Sequence, residues 1–259
     1  MWQPDGAGWR ARIGVLTPHS DPVPESELQA MAPVGVSIHA ARVPLGFAGP
    51  DNGGTSLIGS DAARGFSEPP HVDNAAALLA AAPLHVIVYA FTSSSYVLGV
   101  DAEAAFKARL EGCTRGIPVV MSTSAARAAL RAVGAHRIAL IHPPWFPADL
   151  DRLGAKYFQE QGFEVVHHGS AQLRSSSGEL FPAQIYDWAR RTVPDSAEAV
   201  FIGGNGFRAI GAIDALEQDL GRPVLSANQA AFWQALRLAR TCVPVSGYGR
   251  LFATATAEI

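Results

Sequence analysis

Hydroxyl side chains cluster at the point where an apolar stretch of the sequence ends. Thr92, Ser93, Ser94 and Ser95 follow one another directly after the apolar residues 86–91. Hydroxyls and backbone amides at the N-terminus of a helix bind anions well. The cluster therefore predicts a binding site for a carboxylate or a phosphate, and simple capping of the helix by Ser or Thr is the alternative interpretation.

A glycine-rich turn ends a second apolar stretch. Residues 203–206 contain three glycines around Asn205. Glycines let a ligand approach the backbone closely and leave N–H groups available as donors. The turn has neither the GxGxxG spacing nor a Walker lysine, so it does not favour nucleotide binding. A tight strand-to-helix turn without a ligand is the alternative.

Two side chains near strand ends could transfer protons. His142 ends a predicted strand, and an imidazole titrates near neutrality, which suits a general acid or base. Asp21 follows the first predicted strand and is a second candidate. A locally hydrogen-bonded histidine and a helix-capping aspartate are the alternatives. His167 and His168 are adjacent and point to opposite faces of a strand, so no metal site is predicted.

The two cysteines do not indicate chemistry of their own. Cys113 and Cys242 have neither a CxxC spacing nor the spacing of metal ligands. Neither lies in a strand-end turn, so neither is predicted to be a nucleophile.

Strands and helices must alternate if these turns are to lie at strand ends. The sequence shows this α/β alternation, and several strands are apolar on both faces, as buried parallel strands are. The predicted strands cover residues 12–17, 36–42, 85–90, 118–122, 137–142, 164–168, 199–203 and 223–227. The predicted helices cover residues 101–112, 124–133, 148–161, 181–192, 210–220 and 229–239. Residues 45–70 are rich in Gly, Pro, Ser and Asn and predict a long loop over a site.

The order of these elements repeats within the chain. Residues 11–18 have a counterpart at 136–143, and the strand pair within 87–123 has a counterpart within 200–228. The repeat predicts two similar lobes, formed by residues 1–116 with 230–259 and by residues 117–229. Ligands bind at the carboxyl ends of parallel strands, so duplication would place the turns on the two sides of one cleft.

Composition excludes several classes of protein. Of the 259 residues, 48% are hydrophobic and 17% are charged, and the net charge is -3. No basic run indicates nucleic acid, and no apolar stretch approaches the ~18–20 residues of a membrane helix. The N-terminus does not resemble a secretory signal, so a cytoplasmic location is expected. A homo-oligomer is a further expectation, because symmetric assemblies are common among soluble enzymes.

Four segments resemble the maleate cis-trans isomerase and arylmalonate decarboxylase group of the Asp/Glu racemase superfamily. These segments are residues 8–18, 90–93, 121–123 and 247–252, and together they span nearly the whole chain. The resemblance implies two flavodoxin-like lobes with parallel sheets, related by a pseudo-two-fold axis. It also implies a site between the lobes that uses no cofactor.

The resemblance assigns roles to particular residues. Thr92 and Ser93, with backbone amides near Asn205, would hold a substrate carboxylate in a dioxyanion site that stabilises developing negative charge. The family's chemistry uses a cysteine in one or both strand-end turns, and those positions are Phe91 and Gly204 here. The predicted substrate-binding residues are Thr17, Phe91, Thr92, Ser93, Trp145, Gly204, Asn205 and Gly206.

Three functions follow as hypotheses. The first is decarboxylation of a small mono- or dicarboxylate without thiols, with His142 or Asp21 handling protons. The second is isomerisation by a different acid–base pair, and the third is carboxylate binding without catalysis.

Overall fold

The computed structural model describes residues 5–46, 57–173, 179–241 and 243–254. The strands are Ala11–Pro18 (β1), Val36–Val43 (β2), Val86–Tyr89 (β3), Val119–Met121 (β4), Arg137–His142 (β5), Glu164–Ser170 (β6), Ala199–Ile202 (β7) and Val224–Ser226 (β8). The helices are Val23–Met31 (α1), Ser60–Gly65 (α2), His71–Leu79 (α3), Thr92–Cys113 (α4), Ser122–Ala132 (α5), Ala148–Glu160 (α6), Pro182–Thr192 (α7), Ile213–Leu220 (α8) and Ala227–Leu238 (α9). Within these ranges, no helix has the length and hydrophobicity needed to cross a membrane.

The strands form two parallel sheets of the same topology. The first sheet has the order β2-β1-β3-β4, and the second has the order β6-β5-β7-β8. Strands β3 and β7, each an interior strand of its sheet, are buried along their whole length, as their uninterrupted apolar sequences predict. The predicted α/β class, the eight strands and the internal repeat are therefore confirmed.

The repeat extends to single hydrogen bonds at the ends of the central strands. The amide of Ala90 donates to the carbonyl of Leu16 at 2.9 Å, and the amide of Gly203 donates to the carbonyl of Ile141 at 2.8 Å. Ala90 and Gly203 are thus equivalent positions, each one residue beyond its strand. The turns that follow them, from Phe91 and from Gly204, are equivalent too.

Two predictions for the first lobe need correction. The described part of the predicted loop at 45–70 contains the helix α2, while residues 47–56 lie outside the described ranges. The helix predicted at 101–112 begins earlier, because Thr92 and the three serines after it form its first turn. A non-helical residue, Gly99 with φ of 74°, kinks this longer helix.

The last helix of each repeat packs on the sheet of the other repeat. Helix α5 follows β4 and contacts β7 and β8, whereas α9 follows β8 and contacts β3 and β4. The two helices also pack against each other, and both contain fully buried alanines, such as Ala129 in α5 and Ala230 in α9. Strand β4 belongs to the first sheet, so the predicted lobe boundary between residues 116 and 117 separates it wrongly from its own sheet.

Candidate functional site

The turns that follow β3 and β7 are joined by two reciprocal hydrogen bonds. The backbone amide of Thr92 donates to Oδ1 of Asn205 at 3.0 Å. The backbone amide of Gly204 donates to Oγ1 of Thr92 at 3.2 Å. The sequence therefore identified two turns that do meet between the sheets.

A second, symmetry-related pair of bonds supports the two turns, with one bond for each turn. Nδ2 of Asn228 donates to the carbonyl of Asn205 at 2.8 Å, and Oγ1 of Thr123 donates to the carbonyl of Thr92 at 3.4 Å. Thr123 and Asn228 each lie two residues beyond β4 and β8, at equivalent positions of the repeat. The duplicated unit thus supplies the same support to both turns, with a hydroxyl in one lobe and an amide in the other.

Thr92, Ser93, Gly204 and Asn205 form the inter-lobe cluster. Thr92, Ser93 and Asn205 are at most 3% exposed. Thr92 and Ser93 open helix α4, so the amide of Ser93 has no partner within the helix. Across the described ranges, neither the Thr92 nor the Ser93 hydroxyl donates to a protein group. The cluster therefore offers two hydroxyl protons and a helix N-terminus to an anion.

The other two hydroxyls of the run have structural roles. Ser94 donates to the carbonyl of Ala63 at 2.6 Å and accepts from the Tyr89 hydroxyl at 2.8 Å. Ser95 donates to Oε1 of the buried Glu103 at 2.7 Å. The four hydroxyls thus separate into two that stabilise the first lobe and two that are available to a ligand.

Phe91 and Gly204 occupy equivalent positions but have opposite surroundings. Phe91 is buried against Phe66, with ring centroids 4.4 Å apart. Gly204 has a φ of +85°, and a Cβ there would lie 2.7 Å from Cγ of Pro143. Glycine is required at this position for both reasons, because the left-handed region disfavours other residues and Pro143 fills the space.

We predict that Gly204→Ala destabilises the protein more than Gly221→Ala. Both glycines have positive φ, but a Cβ on Gly221 would meet no atom within 4 Å. Backbone strain costs about 1–2 kcal/mol at either position, and the clash with Pro143 adds about 1–3 kcal/mol at Gly204 alone. Urea denaturation of the two variants measures the difference. Equal losses of unfolding free energy would show that Pro143 does not restrict this turn.

The remaining predicted binding residues have partners of their own outside the cluster or lie in its turns. Trp145 is buried edge-on against Phe207, with ring centroids 5.9 Å apart, and its carbonyl accepts from the amide of Ile58 at 3.0 Å. Gly206 is half-buried in the turn after β7. Thr17 donates its hydroxyl to the carbonyl of Asp21 at 3.3 Å and so closes the turn after β1.

The segment around α2 crosses from one lobe to the other beside the cluster. Its beginning contacts the second lobe, where Ile58 binds Trp145 and Ser60 donates to Oδ2 of Asp149 at 3.1 Å. Its end contacts the first lobe, where the carbonyl of Ala63 accepts from Ser94. The described residues 58–63 therefore connect the two lobes within a few residues of Ser93.

His142 lies at the centre of a buried hydrogen-bonded chain. Its Nδ1 is 2.6 Å from Oδ1 of Asp151, and its Nε2 is 3.2 Å from the hydroxyl of Tyr96. The other oxygen of Asp151 is 2.6 Å from Nδ1 of His168, which is partly exposed. The sequence indicated His142 but not Asp151 or Tyr96, because both partners lie on other elements of the fold.

The protonation states of this chain follow from its surroundings. Burial raises the pKa of Tyr96 well above its usual value, so its hydroxyl keeps its proton and donates to Nε2 of His142. Burial also acts to raise the pKa of Asp151, but hydrogen bonds and charge from His142 and His168 outweigh it and lower that pKa. His142 therefore carries a proton on Nδ1 toward a carboxylate, an arrangement that resembles the aspartate and histidine of a catalytic triad.

This chain lies directly behind the turn after β7. A Cβ on Gly203 would be 3.1 Å from the Tyr96 hydroxyl and 2.8 Å from Cδ2 of His142. Only a glycine leaves room for these two side chains. Tyr96 and His142 therefore lie beside Gly203, the residue that precedes Gly204 of the inter-lobe cluster. Neither side chain forms a hydrogen bond with a residue of the cluster.

Asp21 has a local partner and a perturbed pKa. Its Oδ1 accepts from the amide of Val23, the first residue of α1, at 3.0 Å, although the N-cap position of that helix is Pro22. Burial raises its pKa to about 6, against the lowering effects of the Val23 amide and Arg42. Burial likewise raises the pKa of Glu27, on the same segment, to about 7. A catalytic role for Asp21 stays a prediction.

These two carboxyl groups predict that the protein loses stability as the pH rises from about 5 to about 8. Their folded-state pKa values exceed those of the unfolded chain, so the folded state binds more protons in this range. The stabilisation they give at low pH is lost as the pH passes about 6 and about 7. Urea denaturation across this range should show a smaller fall for Asp21→Asn, which keeps the acceptor for Val23. An identical fall in the variant would contradict the raised pKa of Asp21.

The one cysteine within the described residues is not part of the inter-lobe cluster. Cys113 ends α4, at the opposite end of that helix from Thr92, and burial raises the pKa of its thiol. Cys242 lies outside the described residues.

Comparison with known proteins identifies the family. The sequence model of the arylmalonate decarboxylase family matches residues 63–252. The chain belongs to the arylmalonate decarboxylase family. Arylmalonate decarboxylase from Bordetella bronchiseptica is 31% identical over 169 residues, which are 62% of this chain and 68% of that protein. The resemblance predicted from the sequence is thus confirmed.

Solved structures share the two-lobed fold along almost their whole length. Maleate isomerase Iso from Pseudomonas putida S16, with maleate, has a TM-score of 0.83 at 22% identity, covering 96% of this chain and 99% of that one. Maleate cis-trans isomerase from Nocardia farcinica has a TM-score of 0.81 at 24% identity, covering 95% and 99%. An arylmalonate decarboxylase structure has a TM-score of 0.72 at 25% identity, covering 94% and 100%. The decarboxylase and isomerase members thus share one fold with this chain.

Proposed function

We propose that the protein is a cofactor-independent enzyme that decarboxylates a small dicarboxylate bound at the inter-lobe cluster. The observation that carries this proposal is the pair of hydroxyls on Thr92 and Ser93, which donate to no described protein group and lie at a helix N-terminus where Thr92 meets the Gly204–Asn205 turn. Membership of the arylmalonate decarboxylase family supports the same reaction. The cluster would act as the dioxyanion site expected from the sequence.

The donors of the cluster favour the decarboxylation step itself. Both carboxylates of the substrate are bonded to one carbon, as in a malonate, and the Thr92 and Ser93 hydroxyls hold one of them. The other leaves as carbon dioxide, and the electrons of the broken carbon–carbon bond pass into the retained carboxylate to give an enediolate. Hydrogen-bond donors fixed before the reaction stabilise that charge without reorganising. This step needs no thiol and no base.

The enediolate carbon then requires a proton, and the hydrogen-bonded series Tyr96, His142 and Asp151 behind Gly203 can supply it. Nε2 of His142 first takes up a proton from solvent, and the carboxylate of Asp151 balances the resulting imidazolium charge. Tyr96 then gives its hydroxyl proton to the carbon and takes the proton from Nε2. A C–H bond forms, an N–H bond breaks, and solvent later reprotonates His142. A relative from Nocardia farcinica carries a covalent succinylcysteine intermediate. In this chain, Phe91 and Gly204 stand where the resemblance places the family cysteines.

The serine pair beside the cluster provides a matched test. We predict that Ser93→Ala lowers turnover about 100-fold with little change in stability, because its hydroxyl binds no described protein group. Ser94→Ala should instead lower stability with little change in turnover. It leaves the buried Tyr89 hydroxyl without its partner, which costs about 1–3 kcal/mol of unfolding free energy. Turnover of a panel of arylmalonates and maleate, followed by proton NMR, measures the first effect, and urea denaturation measures the second.

The panel also separates the hypotheses. Release of carbon dioxide from an arylmalonate supports the proposal, and conversion of maleate to fumarate supports isomerisation instead. Binding without turnover of any member would identify a carboxylate-binding protein. Full turnover by Ser93→Ala would exclude that hydroxyl from the site.

We predict that His142→Ala abolishes turnover while the protein still binds a carboxylate. His142 reaches the cluster only through Tyr96, so its loss removes proton supply and leaves the donors of Thr92 and Ser93 in place. General acid–base groups contribute about 100- to 10,000-fold to rate. His167→Ala is the control, because His167 neighbours His168 in β6 but takes no part in the chain. Wild-type turnover in His142→Ala would remove this residue from the mechanism.

A further inference from the structure

Buried hydrogen bonds continue from the inter-lobe cluster to helix α1. Nδ2 of Asn205 donates to Oδ1 of Asn228 at 2.8 Å, and Nδ2 of Asn228 donates to Oε2 of Glu27 at 2.7 Å. The other oxygen of Glu27 accepts from the amide of Ile210 at 3.1 Å. Asn205, Asn228 and Glu27 are 3%, 1% and 7% exposed. The proposed mechanism gives no role to Glu27 or Asn228.

Both ends of this chain of bonds are fixed by chemistry. An ionised carboxylate can only accept hydrogen bonds, and a backbone amide can only donate them. Glu27 therefore requires Nδ2 of Asn228 on its side, which turns Oδ1 of Asn228 toward Asn205. The amide of Thr92 requires Oδ1 of Asn205, which turns Nδ2 of Asn205 toward Asn228. Each side-chain amide thus has one orientation that satisfies both neighbours.

The consequence appears at the Thr92 hydroxyl. Its oxygen accepts from the amide of Gly204, and its backbone is held by Asn205. Because this oxygen faces a donor, its hydroxyl proton points elsewhere and is available to an acceptor on a ligand. We propose that Glu27 is a positioning residue, which acts through Asn228 and Asn205 to hold Thr92 ready for the substrate carboxylate. Only the identity of the ligand rests on the proposed function.

Electrostatics and positioning predict opposite results for the neutral variant Glu27→Gln. Removal of a negative charge near a bound carboxylate should strengthen anion binding. The positioning role predicts weaker binding, because glutamine has only one acceptor oxygen for the two donors Asn228 and Ile210. One donor must then face an NH₂ group, and the orientation of the amides is no longer enforced.

Calorimetry with phenylmalonate, at about pH 8 where Glu27 is ionised, tests the proposal. We expect Glu27→Gln to bind about tenfold more weakly, the effect of roughly one lost hydrogen bond. Glu25→Gln is the matched control, since Glu25 lies on the same helix and pairs with Arg42 at the surface. Its affinity should stay within about twofold of wild type. Equal or tighter binding by Glu27→Gln overturns the proposal.

A second measurement is independent of any ligand. Hydrogen exchange of the Thr92 amide should be about tenfold faster in Glu27→Gln, while amides of β1 exchange as in wild type. Asn228→Ala should also make the Thr92 amide exchange faster, and this variant is used for the test if Glu27→Gln fails to fold. If Glu27 affects Thr92 through Asn228, the Thr92 amide of the double variant should exchange no faster than in Asn228→Ala alone.

The two measurements separate failure of the inference from failure of the proposed function. Unchanged Thr92 exchange in folded Glu27→Gln, or additive effects in the double variant, contradicts the role of Glu27 whatever the protein binds. Faster exchange in a protein that binds no carboxylate supports the role of Glu27 and counts against the proposed function instead.

Discussion

The reciprocal hydrogen bonds between Thr92 and the Gly204–Asn205 turn determine how the two lobes fit together. Each bond satisfies a polar group that is out of contact with water, and an unpaired group of this kind costs about 1–3 kcal/mol. The lobes can therefore close only where each turn meets the other. The exchange of α5 and α9 between the sheets reinforces this, because neither lobe buries its own sheet without a helix from the other.

Duplication explains why the cluster has two sides with different chemistry. The equivalent turns start from Phe91 and Gly204, and their supports are the equivalent residues Thr123 and Asn228. The first lobe contributes hydroxyls and a helix N-terminus, whereas the second contributes bare backbone and carboxamides. A bound carboxylate would thus find its hydroxyl donors in the first lobe, whereas the second lobe presents the bare backbone of Gly204 to it. One ancestral turn, used twice, can provide both the binding half and the open half of a site.

The sequence predicted the parts of this molecule that depend on local pattern. The strands were visible because β3 and β7 are apolar on both faces, and the repeat was visible because both halves keep the same order. Helix α2 was missed because its six residues are held by contacts such as Ser94 to Ala63 rather than by propensity.

The partners of the site residues could not be read from sequence spacing. His142 was recognised by its place at a strand end, but Tyr96 lies 46 residues away in the chain. Glu27 is an ordinary acidic residue of an amphipathic helix in the sequence, and only the fold brings it to Asn228, 201 residues away. Strand ends can be predicted from periodicity, whereas the network that orients them exists only after the lobes close.

The positions of Gly203 and Gly204 show how acid–base chemistry could persist in a turn without a thiol. Gly204 cannot carry a reactive side chain, because its positive φ and its contact with Pro143 exclude one. Gly203, its neighbour, leaves room for Tyr96 and His142 behind the turn. In the proposed mechanism the proton donor therefore lies not in the turn but on Tyr96 and His142 behind it. Because these two side chains lie on one side of the turn, the proton would reach only one face of the enediolate, and the fold itself would decide the configuration of the product.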